Sequence, residues 1–478
     1  MTHASAPARR ALVTGATGFI GRSLVSALVE QGWEVRCLCR SRAKVASMPW
    51  ARYADSGVVH VVEGDATDRA DLERALNNVD CAWYLLHSMS GGTGFAEQEA
   101  EMARQFGEVA KENGVKRIVY LGGLHPDDVP PGHLSEHLES RVEVGQALMD
   151  SGVPTAALQA GVVIGAGSLS FRLLRHVAER VPAFIAPQWI NNKITPISER
   201  DIVHYLLTAA DVPAEENRTF DVGGPDSMPY VEMMQRYAEA MGVRRRPFAT
   251  APIMTRGLAS WGLSVLTPLE MREILPIFDS VAADTVVKER DLEDMVGQPE
   301  GGNQTFEDAV RSAAEGTDPA RYGRIANWVH GAVLAAAVTG SLLSNPKSLR
   351  YKTLTKPSWQ PPAWAFPLAW TVLYADLAVI STTTIADALE QEGATAARAD
   401  ATALGLNLVL NAGWSGLFFR SRKRFLSTAW AAALTLSSAD LARRAWKRSP
   451  SRGLLLAPYP AWSAFATLLN GRIAQLNR

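Results

Sequence analysis

Residues 355–374 read Thr-Lys-Pro-Ser-Trp-Gln-Pro-Pro-Ala-Trp-Ala-Phe-Pro-Leu-Ala-Trp-Thr-Val-Leu-Tyr, a basic, proline-broken approach followed directly by an apolar helix that carries tryptophans. Tryptophan is enriched where helices enter a bilayer, because its apolar ring and polar N–H suit the interface. This segment therefore predicts a membrane platform in the last third of the chain, preceded by a soluble part.

The charge of the chain is divided along its length. Of the 478 residues, residues 1–325 hold 32 Lys and Arg against 43 Asp and Glu, whereas residues 326–478 hold 16 against 6, with eight of the 13 tryptophans. A chain of this length is too long to fold around a single hydrophobic core, so at least two domains are expected. The sequence thus predicts an acidic soluble domain over residues 1–315, a linker over 316–325 and a basic membrane domain over 326–478.

Apolar segments of helical length follow the linker. Their lengths bracket the roughly 20 residues that an α-helix needs to cross hydrocarbon, so we expect a five-helix transmembrane bundle. Asp376 and Asp440 should face inward or toward an interface, because a carboxylate facing lipid is costly. The five segments lie near residues 326–343, 363–386, 399–419, 427–445 and 454–470.

Three parts of this region resemble the tryptophan-rich sensory protein family, also called translocator proteins or the TspO/MBR family. They are residues 355–374, residues 408–419 (Leu-Val-Leu-Asn-Ala-Gly-Trp-Ser-Gly-Leu-Phe-Phe) and residues 458–470 (Pro-Tyr-Pro-Ala-Trp-Ser-Ala-Phe-Ala-Thr-Leu-Leu-Asn), in the family's order. The resemblance implies a pocket for porphyrins and other flat hydrophobic ligands. The alternative is that these tryptophans anchor and pack helices. By motif position the implied ligand contacts are Trp370, Tyr374, Asn411, Trp414, Trp462 and Asn470.

A second motif opens the chain. Residues 11–14 (Ala-Leu-Val-Thr) form a short apolar strand, residues 15–21 (Gly-Ala-Thr-Gly-Phe-Ile-Gly) follow as a glycine-rich turn, and residues 34–39 return as a strand. Between a strand and a helix, such a turn lets the backbone approach a pyrophosphate at the helix amino-terminus. The alternative is a tight turn that binds no nucleotide. The predicted cofactor contacts are Gly15, Thr17, Gly18, Phe19, Ile20 and Gly21.

The end of the second strand indicates which nucleotide binds. Arg40 and Arg42 stand where an Asp or Glu would hold a ribose 2′-hydroxyl. A guanidinium pairs with a 2′-phosphate, so NADP(H) is favoured over NAD(H), with two solvated arginines as the alternative. Asp65, after the third strand, is predicted to meet the adenine amino group, and His87, after the fourth, to contact the cofactor. Residues 88–94 then form either a lid near the nicotinamide or a surface loop.

Strand-like runs continue to alternate with helical segments at the spacing of βαβ units. This pattern predicts an α/β fold with a doubly wound parallel sheet of the Rossmann type, whose ligands sit at the carboxyl ends of the strands. Residues 225–300 indicate a small helical lobe, because residues 230–241 are amphipathic and residues 252–276 hold apolar runs broken by proline. The lobe could close over a hydrophobic substrate, its apolar residues could form an ordinary hydrophobic core, or its surface could rest on the bilayer.

Residues 9–310 resemble the short-chain dehydrogenase/reductase superfamily, in its atypical, NAD(P)H-binding, NmrA-like branch. The superfamily's catalytic Ser and Tyr-x-x-x-Lys are absent. Gly122 or Gly123 stands at the serine position, and residues 137–141 (His-Leu-Glu-Ser-Arg) replace the Tyr-Lys pair. By this resemblance Arg141 could hold the ribose, and His137 could deliver a proton near pH 7. A structural histidine on a helix face is the alternative.

Cys37, Cys39 and Cys81 lie in apolar runs without metal-ligand spacing, so we expect buried, reduced thiols and no metal site. The expected partners are the lipid bilayer and a hydrophobic small molecule, a tetrapyrrole or alternatively an isoprenoid. We expect no nucleic acid, and a homodimer could form through the membrane helices.

Two functions are consistent with the sequence. In the first, a membrane-bound NADPH-dependent oxidoreductase captures a hydrophobic substrate in its bundle. In the second, a sensor or transporter of such ligands responds to NADPH without turnover. The missing catalytic residues favour the second function, and the fusion with an apolar lobe favours the first. Loop charge does not decide orientation, so the need for NADPH places the nucleotide domain in the cytosol of a multi-pass protein of the bacterial inner membrane.

Overall fold

The computed structural model of the chain describes residues 8–86, 95–126, 135–181, 184–244, 247–251 and 254–477. The chain divides into two compact units. The first comprises Met1–Ala178, Phe184–Arg256 and Arg272–Thr317; the second comprises Glu179–Ala183, Gly257–Met271 and Asp318–Arg478. His87 and the predicted lid at residues 88–94 lie outside the described residues.

The described strands all belong to the first unit. In chain order they are β1 (Arg10–Thr14), β2 (Glu34–Cys39), β3 (Val59–Glu63), β4 (Cys81–Tyr84), β5 (Arg117–Gly123), β6 (Thr155–Ala160), β7 (Val163–Ile164), β8 (Phe184–Ala186), β9 (Lys193–Ile194), β10 (Ile197–Ser198), β11 (Arg218–Val222), β12 (Met228–Pro229) and β13 (Phe248–Thr250).

The helices occur in both units. In chain order they are α1 (Phe19–Glu30), α2 (Arg42–Val45), α3 (Ala51–Asp55), α4 (Arg69–Leu76), α5 (Phe95–Glu112), α6 (Glu136–Met149), α7 (Leu169–Arg180), α8 (Glu199–Thr208), α9 (Tyr230–Ala240), α10 (Arg256–Leu266), α11 (Met271–Ser280), α12 (Asp291–Val296), α13 (Phe306–Ala313), α14 (Arg321–Leu343), α15 (Leu349–Lys352), α16 (Ala365–Gln391), α17 (Ala394–Arg420), α18 (Arg424–Arg448), α19 (Pro450–Leu456) and α20 (Pro458–Leu476).

Seven parallel strands form the sheet of the first unit, in the order β11-β6-β5-β4-β1-β2-β3. Val13 of β1 lies opposite Cys37 of β2 and Trp83 of β4. All three side chains are buried, as in a parallel sheet that helices cover on both faces. The strand order reverses between β1 and β4, which is where doubly wound sheets bind ligands. The predicted Rossmann-type sheet is confirmed, and Cys37, Cys39 and Cys81 are free and buried in it, as expected.

Five long helices, α14, α16, α17, α18 and α20, make up most of the second unit. Among the described residues, α14, α16 and α17 are long and apolar enough to cross a membrane. The predicted five-helix transmembrane bundle is therefore confirmed only as a helical carboxyl-terminal region with three candidate spans. The reason is compositional, because α18 and α20 mix their apolar residues with Ser, Thr, Arg, Asn and Gln.

Several charged residues of these helices form ion pairs near the helix ends. Asp440, expected to face inward or toward an interface, pairs with Arg443 at 2.5 Å and with Arg444 at 2.6 Å in the last third of α18. Asp387, near the end of α16, is buried and shared by two arginines. Its Oδ1 lies 2.5 Å from Arg180 and its Oδ2 lies 2.6 Å from Arg452, whose side chains are 3% and 1% exposed. This buried ion network was not predicted from the sequence.

Candidate functional site

In the glycine-rich turn after β1, the backbone passes so close to its neighbours that no side chain would fit at Gly15 or Gly21. Gly15 has φ +67°, and a Cβ there would lie 2.8 Å from the carbonyl oxygen of Leu85. A Cβ on Gly21 would lie 2.2 Å from the carbonyl oxygen of Gly15. Helix α1 therefore packs directly against the turn, and a phosphate can approach the bare backbone.

The amino-terminus of α1 is the predicted pyrophosphate site. Gly18 precedes the helix and supplies no side-chain cap. The N–H groups of Phe19, Ile20 and Gly21 begin the helix, where helical geometry provides them with no acceptor. With the helix dipole they can hold an anion. Thr17 is partly buried in the same turn, so the predicted residues of this motif lie together.

A buried threonine fixes the turn at the switch point of the sheet. Thr14 Oγ1 donates to the carbonyl oxygen of Trp83 at 3.1 Å and accepts from the N–H of Leu85 at 3.1 Å. These bonds join the carboxyl ends of β1 and β4, the two strands between which the strand order reverses. Thr14 therefore links the two strand ends that border the crevice in which a dinucleotide would lie.

The two arginines after β2 differ in their surroundings. Arg42 donates to the carbonyl oxygen of Val61 at 3.3 Å. Arg40 is exposed and lies near Asp65, the other residue predicted to contact the adenosine half of the cofactor. The pKa of Asp65 is lowered, mainly by the hydrogen bond from the Thr67 N–H at 3.0 Å and further by the charge of Arg40. An ionised Asp65 can accept a hydrogen bond from an amino group, and Arg40 is available for a phosphate.

Arg141 presents a buried donor at the carboxyl end of β5. Its side chain lies against Gly123, where a Cβ would be 3.5 Å from Arg141 Cδ. Arg141 Nε is buried and has no hydrogen-bond partner among the residues that the structure describes. A buried, unsatisfied donor costs free energy, which a ligand oxygen would recover. The position suits the ribose-binding role implied by the resemblance.

His137 lies one turn before Arg141 on α6. Burial, and then the charge of Arg141, lowers the pKa of His137 to about 4. The imidazole is therefore neutral at pH 7. It can donate or accept a hydrogen bond, but it carries no imidazolium proton to deliver.

We expect His137 to make the folded protein less stable between about pH 6.5 and pH 4. In that window the unfolded chain protonates an imidazole of pKa about 6.5, while the folded protein keeps it neutral. From pH 7 to pH 4, the free energy of unfolding should fall by about 3 kcal/mol more in the wild type than in His137→Gln. Denaturant unfolding at both pH values measures this, and the same pH dependence in both proteins would refute a buried neutral imidazole.

In the second unit, hydrogen bonds connect buried polar side chains of four helices. Tyr374 Oη of α16 donates to Asn411 Oδ1 of α17 at 2.6 Å, and Asn411 Nδ2 donates to Tyr459 Oη of α20 at 3.0 Å. Tyr459 Oη in turn donates to Asn407 Oδ1 at 2.7 Å. Asn407 Nδ2 donates to Ser438 Oγ of α18 at 3.2 Å. This chain satisfies polar groups that would be costly in an apolar interior.

Aromatic rings surround the Tyr374 end of this chain. The Trp370 ring lies 5.5 Å from that of Tyr374, 6.5 Å from that of Trp414 and 6.3 Å from that of Tyr459. Trp414 stacks on Phe418 at 5.5 Å. The structure thus brings Trp370, Tyr374, Trp414 and the hydrogen-bonded Asn411 together. Tyr459, Asn407 and Ser438 were missed in the sequence, where nothing reveals partners so far apart.

Two indole N–H groups near this cluster are unsatisfied. Trp414 Nε1 and Trp462 Nε1 are buried and lack a hydrogen-bond partner among the described residues. Trp462, one turn after Tyr459 on α20, packs edge-on against Phe366 at 5.9 Å. Each of these N–H groups is a hydrogen-bond donor among aromatic rings, the kind of group that can meet the polar edge of a flat ligand.

Asn470 lies apart from the other predicted ligand contacts. Its Nδ2 donates to Ser427 Oγ at 2.9 Å. It lines a cleft of about 370 Å³, open mouth included, together with Arg350, Tyr351 and Phe418. None of the other five predicted ligand contacts lines that cleft. Asn470 follows Trp462 by two helical turns, so the two side chains lie at different heights along α20.

Comparison with known proteins identifies the helical region. Residues 329–476 match the TspO/MBR family. A stretch of 149 residues is 33% identical to the tryptophan-rich protein TspO of Chlorobaculum tepidum, covering 31% of this chain and 92% of that protein. The chain belongs to the TspO/MBR family. The translocator protein of Ovis aries is 35% identical over 135 residues, which cover 27% of this chain and 75% of that protein.

The amino-terminal region has relatives of another kind. Residues 15–162 match a family described as NAD(P)H-binding. The NAD(P)H azoreductase of Xenophilus azovorans is 26% identical over 231 residues, covering 48% of this chain and 73% of that protein. This TspO/MBR family member therefore carries an NAD(P)H-binding domain before its TspO/MBR domain. The resemblance to the TspO/MBR family is confirmed, and the second resemblance is confirmed as an NAD(P)H-binding domain.

Proposed function

We propose that the chain is an NADP(H)-binding membrane protein that holds a flat hydrophobic ligand, a tetrapyrrole, in its helical unit and uses the cofactor as a reductase. The observation that carries the proposal is the pair of buried, unsatisfied indole N–H groups of Trp414 and Trp462. The same chain has a glycine-rich turn that leaves the amino-terminus of α1 without a side-chain cap and so open to a pyrophosphate. We assign the nucleotide domain to residues 1–315, the linker to 316–325 and the membrane domain to 326–478.

The surfaces of the long helices support a multi-pass membrane protein. Large apolar side chains point outward on all five helices, which is unfavourable in water and favourable in lipid. NADPH is a cytosolic cofactor, so we place the nucleotide domain in the cytosol and the helices in the bacterial inner membrane. A homodimer would bury part of the same apolar surface. These outward residues include Leu334, Val372, Leu406, Leu436 and Leu468.

Arg40 supports the choice of NADP(H) over NAD(H). Its guanidinium is exposed at the end of β2, where a 2′-phosphate would lie, whereas Arg42 is engaged with the carbonyl oxygen of Val61. A charge-assisted hydrogen bond to phosphate contributes about 1.5–3 kcal/mol. We therefore assign the selectivity between the two cofactors to Arg40.

Wild-type protein should bind NADPH at least about tenfold more tightly than NADH, and Arg40→Ala should remove most of that difference. Affinities measured by calorimetry for both cofactors test this. Arg42→Ala is the matched control and should leave the ratio of the two affinities unchanged. Equal affinities in the wild type would refute the role given to Arg40.

The aromatic cluster supports a tetrapyrrole, with an isoprenoid as the alternative. A porphyrin offers a wide π face to Trp370 and Trp414, and polar edges to the unsatisfied N–H groups of Trp414 and Trp462. An isoprenoid would fill the apolar space but leave both donors unsatisfied. The polar chemistry of the cluster therefore favours the porphyrin.

Protoporphyrin should quench the tryptophan fluorescence of the purified protein in nanodiscs. Trp370→Phe and Trp462→Phe should each weaken its binding by about two- to tenfold, because phenylalanine keeps a ring but loses stacking area and the N–H. Trp446→Phe, an exposed residue at the end of α18, is the control. Wild-type emission that does not change with porphyrin would count against a pocket at this cluster.

A non-catalytic sensor or transporter is the second candidate. The superfamily's Ser and Tyr are absent, and His137, with a pKa of about 4, is neutral at pH 7. Because His137 has no proton to give, hydride transfer from NADPH requires a substrate that stabilises the added negative charge itself, as a conjugated macrocycle can. The two candidates differ in whether NADPH is consumed.

A further inference from the structure

Helix α10 has an unusual surface for a helix that faces water. From Gly257 to Leu266 the sequence reads Gly-Leu-Ala-Ser-Trp-Gly-Leu-Ser-Val-Leu and contains no charged residue. Ala259 and Leu263 are buried on one face, whereas Leu258 and Trp261 on the other are 52% and 40% accessible; Val265, one turn after Trp261, is buried again. Solvent-facing helices normally present charged or polar side chains on that face.

The carboxyl end of α10 is fixed within the second unit by one buried arginine. Arg452 Nε donates to the carbonyl oxygen of Val265 at 2.7 Å, and Arg452 Nη2 donates to the carbonyl oxygen of Thr267 at 2.6 Å. The third guanidinium nitrogen pairs with Asp387 on α16. The last carbonyls of α10 are thus capped by a cation, and Val265 shares a hydrophobic cluster with Leu377.

The position of Asp387 along α16 indicates the depth of α10. Asp387 follows Ala365 by 22 residues, or about 33 Å of helix, close to the thickness of a hydrocarbon core. Its ion pairs therefore lie at the boundary of the span rather than inside it. At the same end of the unit, Trp446 on α18 and Leu454 on α19 are exposed, as in the tryptophan belt of membrane proteins.

We propose that α10 is an interfacial helix, lying at the boundary between headgroups and acyl chains with Leu258 and Trp261 in the lipid. The inference rests on the membrane placement of α14, α16 and α17 in the proposed function. The occupant is the bilayer because the exposed face is apolar, carries a tryptophan and belongs to the same unit as the long helices with their outward apolar side chains. The residues concerned come from a part of the sequence that precedes the membrane helices by more than fifty positions.

Site-directed spin labelling of the full chain in phospholipid nanodiscs tests this. A nitroxide is attached to Leu258→Cys or Trp261→Cys, and its collisions with oxygen, which partitions into lipid, are compared with those of a water-soluble nickel chelate. Leu334→Cys, outward on α14, is the lipid reference, and Met295→Cys, exposed on α12, is the water reference. The native Cys37, Cys39 and Cys81 are buried and should not be labelled.

The ratio of oxygen to nickel accessibility at positions 258 and 261 should be severalfold above that at 295 and close to that at 334. Ratios at 258 and 261 equal to that at 295, with a lipid-like ratio at 334, would overturn the interfacial helix alone. A water-like ratio at 334 would instead overturn the membrane placement on which it rests. Low accessibility to both reagents, with spin–spin broadening that grows with protein density, would mean that a second copy of the chain covers this face, and would also overturn the proposal.

Discussion

Asp387→Asn is expected to destabilise the helical unit by about 3–5 kcal/mol, the range measured when one partner of a buried ion pair is removed. The carboxylate accepts from Arg180 at one oxygen and from Arg452 at the other, and both guanidiniums are almost fully buried. An amide of the same shape offers one acceptor and turns two donors toward a cation. Arg180 keeps its bond to Glu390 at 2.9 Å, but Arg452 loses its only ion pair among the described residues.

The matched control is the same substitution at Asp440, whose carboxylate pairs with Arg443 and Arg444 at a more exposed site. Asp440→Asn should cost less than about 1 kcal/mol, because exposed ion pairs contribute little. Both variants can be compared by denaturant unfolding in the same detergent. A loss at Asp387 no larger than that at Asp440 would show that the buried network does not stabilise the unit.

Gly21→Ala should lower the affinity for NADPH at least about 100-fold, which corresponds to about 3 kcal/mol. The new Cβ would lie 2.2 Å from the carbonyl oxygen of Gly15 and 2.8 Å from Cα of Ala16. Both neighbours are backbone atoms, so the turn must open and the N–H groups at the start of α1 lose their alignment on the pyrophosphate. Calorimetric titration with NADPH measures the change.

Gly57→Ala is the control for the general cost of replacing a glycine. Gly57 has φ +79°, and a methyl group added there would meet none of the described atoms within 4 Å, so alanine strains the backbone without touching the nucleotide site. Its affinity for NADPH should stay at the wild-type level. Porphyrin binding should survive in both variants, which separates a local defect from misfolding. Wild-type affinity in Gly21→Ala would refute the placement of the pyrophosphate.

Local sequence patterns predicted the amino-terminal fold well. The strand expected at residues 11–14 is β1, and the strand expected at residues 34–39 is β2. Both follow from apolar runs next to the glycine-rich turn, signals that lie within a few residues of one another. Parallel βαβ units have few alternative arrangements, so the element order restricts the sheet to a small number of strand orders, of which β11-β6-β5-β4-β1-β2-β3 is the one observed.

Long-range polar pairing was beyond such reasoning. Nothing near Asp387 in the sequence indicates that it pairs with Arg180, which lies 207 positions away. The bond from Asn411 to Tyr459 likewise depends on how two helices face each other. Motif position pointed to Trp370 and Asn411, which both contact Tyr374, but it grouped Asn470 with them although two helical turns separate it from Trp462. Helix periodicity specifies a face, and the depth along that face is set by packing.

Calorimetric titration of NADPH into the intact protein in nanodiscs, with and without saturating protoporphyrin and with the absorbance of NADPH followed in parallel, tests whether the two sites serve one function. Coupled sites predict either that NADPH is consumed only when porphyrin is present, as in a reductase, or that its affinity changes at least about fivefold without consumption, as in a sensor. Equal affinities and no consumption in both conditions would contradict any coupling between the cofactor and the membrane ligand.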